Sequence, residues 1–86
     1  MNDLLNQALD RWGHDAQVVM AIEEMGELTV ELAKHLNGRG DNMSAVWEEI
    51  ADVAIMVEQL KLIFGPTVIE GHVRRKLDRL QDRLDV

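Results

Sequence analysis

The sequence predicts an all-α fold, an antiparallel helical bundle of about four helices assembled as an oligomer. Apolar residues recur at alternating spacings of four and three along its long segments, and no stretch keeps the period of two that a strand requires. The breaks between segments fall on turn formers, at Gly13, at Asn37 to Asn42 and at Gly65-Pro66. Oligomerisation follows from size. The 86 residues make a single domain, and one of that length buries only about 60% of its unfolded surface when it folds alone. Without cysteine there is no disulfide or thiolate zinc staple, and at 47% hydrophobic content part of the surface is expected against another subunit.

The first helix is expected from about Asp3 to Arg11, closed by Trp12-Gly13 with the glycine in a left-handed conformation. The second runs from about Asp15 to Leu36, and Val18, Ile22, Met25, Thr29, Leu32 and Leu36 form its bundle-type seam. Asn37 to Asn42 is a loop, with Ser44 as the N-cap of a third helix over about Ala45 to Phe64. The seam of the third helix is Val46, Ile50, Val53, Val57, Leu60 and Phe64. Ala51, Ile55 and Leu62 lie on its opposite side, as expected of a central helix or one shared with a partner. Gly65-Pro66 ends it, and Thr67 to Glu70 has the capping-box pattern for a fourth helix to about Leu84, with a narrow stripe of Val73, Leu77, Leu80 and Leu84.

A formal net charge of −7 argues against a general binder of nucleic acid or anionic membranes, whose phosphates it would repel. A small phosphorylated ligand remains compatible if divalent cations bridge it to carboxylates. Met1-Asn2-Asp3 is no basic leader, no apolar run reaches ~18 residues, and the expected location is the cytoplasm.

Asp52 is the only charge in the run from Ile50 to Val57. Burying an ionised carboxylate costs several kcal/mol or more, so a cation, a metal or a proton is expected beside it. Glu49 precedes it by three residues, and Glu24 and Glu27 form a second such pair on the second helix. A short loop between two helices makes them neighbours and can bring the pairs face to face. Oxygen ligands without His or Cys favour Mg²⁺ or Mn²⁺ over zinc. Glu23 is rotated to the side of the Glu24–Glu27 pair. Glu23, Glu24, Glu27 and Glu31 also read simply as a solvated acidic face.

Five of the nine basic residues, Arg74, Arg75, Lys76, Arg79 and Arg83, crowd into the last helix. They fit a polar face paired locally with Asp78, Asp82 and Asp85, or a phosphate clamp in which Lys76 and Arg79 supply donors one turn apart. Trp12 and Trp47 suit either core packing or stacking on a nucleobase. His14, His35 and His72 have no ligand-type partner at i,i+4 and read as surface or packing residues. Arg39, between two glycines, lacks the pattern of a phosphate loop.

Glu23-Glu24-Met25-Gly26-Glu27 followed by Glu49-Ile50-Ala51-Asp52 resembles the EExxE … ExxD signature of MazG-like nucleoside triphosphate pyrophosphohydrolases, of the all-α NTP pyrophosphatase superfamily. The resemblance extends from Arg11-Trp12-Gly13 through the basic last helix. It implies Mg²⁺-dependent cleavage of a nucleoside triphosphate between the α and β phosphates, releasing monophosphate and pyrophosphate, in a house-cleaning role. It also implies metal ligation by Glu24, Glu27, Glu49 and Asp52, Glu23 as general base, and phosphate contacts from Lys76 and Arg79; Trp12, by its aromatic character, is the further substrate-binding residue expected. Homodimers or tetramers are usual among such proteins. Where many relatives carry a basic residue one turn before ExxD this chain has Ala45, so that charge is expected from Arg39 or the last helix. Two alternatives stand beside this reading: phosphoribosyl-ATP pyrophosphohydrolase, and a non-catalytic helical oligomerisation module.

Overall fold

A computed structural model describes residues 1–38 and 41–85. Among these residues the chain is all-helical, with four α-helices and no strand: α1 (Asn2–Trp12), α2 (His14–Leu36), α3 (Met43–Phe64) and α4 (Pro66–Leu84). The boundaries follow local chemistry. Gly13 and Gly65 separate consecutive helices at φ of 87° and 115°, backbone that L side chains rarely adopt. Pro66 opens α4, where its missing N–H is harmless.

Two expected caps are corrected. The N-cap of α3 is Asn42 and Ser44 lies inside the helix, because the Asn42 side chain is used across the chain. The N-cap of α4 is Gly65, so Thr67 stands two positions too late for a capping box. Glu70 instead reaches back to Lys61 on α3, at 2.7 Å.

α2 and α3 pack along their length, α1 packs on both, and among the described residues α4 packs on α3 alone. The stripe α2 turns to its neighbours is Gln17, Ala21, Glu24, Leu28 and Glu31, buried or half-buried throughout. The expected seam lies one residue, or about 100°, further round. It is largely exposed, Ile22 at 62% and Leu36 at 85%. On α3, Val46, Val53 and Leu60 are covered as expected, but Ile50, Val57 and Phe64 are exposed and Glu49, Met56 and Ile63 take their places.

The hydrophobic core is small: Leu5, Ala21, Val46 and Met56. Gln59 on α3 is fully buried beneath α1, its Nε2 donating to the Leu5 carbonyl at 3.1 Å. At the other end, Asn42 Nδ2 donates to the Glu31 carbonyl at 2.9 Å and to Glu31 Oε2 at 3.0 Å, tying the start of α3 to α2. The radius of gyration is 15.9 Å, against ~12 Å for a compact domain of this length. α4, with no buried residue, extends away from the rest. No helix of the described residues is long and apolar enough to cross a membrane.

Candidate functional site

Packing by the earlier stripe puts carboxylates where a hydrophobic seam was expected. Glu24 follows Ala21 by one turn on α2, Glu49 follows Val46 by one turn on α3, and both acids are half-buried. One carboxylate oxygen from each of Glu24, Glu49 and Asp52 can be chosen so that all three lie within 4.8 Å of one another. Oxygens on opposite sides of a bound Mg²⁺ are about 4.2 Å apart, so small side-chain adjustments suffice to close the set on such an ion.

The electrostatics are unbalanced. Glu24 Oε2 and Glu49 Oε2 are both sealed from solvent and have no hydrogen-bond partner. Burial first, and then repulsion from Glu27, Asp52 and Glu49, pushes the Glu24 carboxyl up from 4.5 to about 7. Burial and the charges of Glu27 and Asp52 likewise raise Glu49. The ion pairs of the described residues join Lys34 to Glu31 and Lys61 to Glu58 and Glu70, and none touches the cluster. Sealed, unpaired carboxylate oxygens that converge from two helices fit a divalent cation by their chemistry.

Asp52 requires a correction. It was expected within an apolar environment, yet it is exposed in the single chain, as are its neighbours Ile50, Ala51, Ala54 and Ile55. Its carboxylate nonetheless meets Glu24 and Glu49, because three residues on from Glu49 is one turn along the same helix. Glu27 stands outside that three-oxygen group, exposed, but is the largest source of repulsion for both Glu24 and Glu49 after burial itself. Glu23 is exposed and lies outside the group. Glu31, read as part of the acidic stripe, has its carboxyl pKa lowered by hydrogen bonds from Asn42 and Lys34, and serves the helix connection.

Lys76 and Arg79 lie exposed on α4, lining a shallow groove with Leu80 and Arg83. Among the described residues α4 packs on α3 alone, so nothing there joins them to the acids of α2. Trp12, at the end of α1, is exposed with the Arg11 guanidinium 5.8 Å from its ring centroid. Arg39 lies outside the described residues. Gln17 and Gln59, both buried, went unnoticed in the sequence. Their only signal was a polar residue at the spacing of the stripe that packs. Compared with known protein families, curated proteins and solved structures, the chain matches none.

Proposed function

We propose that the chain is a metal-dependent nucleotide pyrophosphohydrolase that cleaves a nucleoside or deoxynucleoside triphosphate between the α and β phosphates. The observation that carries this reading is the convergence of Glu24, Glu49 and Asp52 with two sealed, unpartnered oxygens and, among the described residues, no ion pair to a basic side chain. Glu24, Glu49 and Asp52, with Glu27 beside them, would hold Mg²⁺ or Mn²⁺. When bound, the metal supplies charge neutralisation for the phosphates and acidifies water. Glu23 is the base in this reading: it accepts the proton of the attacking water as the new bond to the α phosphorus forms and the bond to the bridging oxygen breaks. Pyrophosphate leaves. Trp12 stacks on the base, and Lys76 and Arg79 contact the phosphates, a position that requires α4 to be brought to the acids of α2 by an assembly.

That assembly is a homodimer or a tetramer of such bundles, in the cytoplasm. The pairing of Glu31 with Asn42 and of Glu24 with Glu49 supports an antiparallel course for α2 and α3. The direct test incubates pure protein with Mg²⁺ and a panel of canonical and modified triphosphates, with phosphoribosyl-ATP included, and detects pyrophosphate. Release from at least one substrate is expected, and silence across the panel at high enzyme concentration defeats the proposal. Asp52→Asn is expected to lower turnover by ~100-fold or more, the share of a charge-stabilising metal ligand, while the thermal transition is kept. Undiminished activity in that variant removes Asp52 from the site.

A further inference from the structure

We propose that Gln17 and Gln59 are positioning residues for the carboxylate cluster: they select which of two rival faces α2 turns to α3, and so whether Glu24 meets Glu49 and Asp52. The consequence for metal binding rests on the reading above, and the choice of face does not. The register of the two helices follows from their contacts. Asn42 Nδ2 donates to Glu31 Oε2 at one level, and Glu24 converges with Glu49 and Asp52 about two turns away. Seven residues before Glu24, ~10.5 Å along the axis, the same register sets Gln17 to Met56 and Gln59 as Glu24 is set to Glu49 and Asp52. All three are buried, Gln17 at 4%, Met56 at 6% and Gln59 at 0% exposure.

Polar residues thus recur every seven positions on the packed stripe of α2, at Gln17, Glu24 and Glu31, and in this register each faces a polar residue of α3. The rival stripe, one residue on, offers Val18, Met25 and Leu32 at the same three levels. A turn of α2 by ~100° would bring that stripe inward, and hydrophobic burial alone favours it. It would also set hydrocarbon against Asn42, Glu49 and Gln59 and carry the Glu24 carboxylate away from the cluster. Asn42 and Glu49 are only half-buried and have solvent to turn to. Gln59 has none: its side chain is fully buried, its Nε2 is committed to the Leu5 carbonyl of α1, and its Oε1 is sealed without a partner. The Gln17 carboxamide is the donor that α2 brings to that level, and Val18 brings none. A buried polar group set against hydrocarbon is costly, and one buried polar position is enough to choose between helix packings of equal spacing.

The test uses the whole chain, which has no native cysteine. Leu28→Cys/Val46→Cys pairs two positions of the packed faces, and Thr29→Cys/Val46→Cys pairs those that the rival face would bring together. Each is treated with dibromobimane, and bridging within one chain is read by fluorescence at the monomer mass. With both glutamines present, the Leu28→Cys/Val46→Cys pair is expected to bridge at least ~10-fold faster. In a Gln17→Leu/Gln59→Leu background the order is expected to reverse while the thermal transition is kept or raised. The affinity of that double variant for Mn²⁺, read from the spin resonance of the free ion, is expected to fall at least ~10-fold. An unchanged bridging order in the leucine background overturns the proposal, and so does a reversed order with Mn²⁺ affinity intact. An unfolded double variant overturns it too, because no second face would then be available. A wild-type chain that binds no Mn²⁺ defeats the metal reading instead, and the bridging order still decides which face the glutamines select.

Discussion

α2 and α3 pack along their length and bury Ala21, Val46 and Met56, whereas α4 leaves α3 at Gly65 and buries no residue of its own. The first pair owes its geometry to packing. The last helix owes its direction to a glycine and to the ion pair between Lys61 and Glu70. The difference separates the charges as well as the helices. The acids sit within the layer that packs, and Lys76 and Arg79 sit on a helix that buries no residue. A site built from both would have to join α4 to the acids of α2, with which it makes no contact among the described residues.

The contrast can be broken most directly with apolar truncations. Met56→Ala is expected to destabilise by about 2–5 kcal/mol in denaturant melts, since its side chain is buried. Leu77→Ala on α4 should stay within about 0.5 kcal/mol. A loss at Leu77 equal to that at Met56 would show α4 to be packed in the assembly after all.

The acidic layer should also respond to pH in a defined direction. The folded chain keeps a proton on Glu24 that the unfolded chain releases near 4.5. Stability is therefore full below that value and falls as pH rises toward about 7. In EDTA the melting temperature should fall across this window, Glu24→Gln should flatten the fall, and millimolar Mg²⁺ should oppose it. A melting temperature that rises with pH in EDTA would show the cluster to be already compensated.

Smaller effects sharpen the comparison at the helix connections. Asn42→Ala removes a part-buried bond to the Glu31 carbonyl and should cost about 1 kcal/mol. Glu70→Gln breaks the ion pair at the root of α4, which is exposed on the glutamate side. Its effect on the melting temperature should be smaller still and disappear at high salt. A larger loss at Glu70 than at Asn42 would mean that the α3/α4 corner is held as firmly as the layer.

The helices themselves were legible in the sequence because their limits are local: Gly13, the residues from Asn37, and Gly65-Pro66 act within a few residues of themselves. Which face each helix buries was not. On α2 two stripes one residue apart share the same spacing, and hydrophobicity favours the one that the chain leaves exposed. The stripe that packs carries Gln17, Glu24 and Glu31, so it could be chosen only by knowing what α1 and α3 place against it. The pairing of Glu49 with Asp52 was legible because spacing by one turn survives a rotation of the helix, whereas their meeting with Glu24 depends on which faces of α2 and α3 pack. The exposure of Asp52 does not survive it, and that expectation failed with the seam.

Gln59 has a consequence for how α1 sits. Its amide hydrogen bond reaches a main-chain carbonyl, so the contact is indifferent to which side chain occupies position 5 but sensitive to where along α3 that carbonyl lies. Sliding α1 by one turn would strand a buried donor next to the amide oxygen that already lacks a partner. Gln59 therefore acts as an index mark, fixing the longitudinal position of α1, and with it the place of Trp12, in a contact otherwise made of interchangeable aliphatic surfaces.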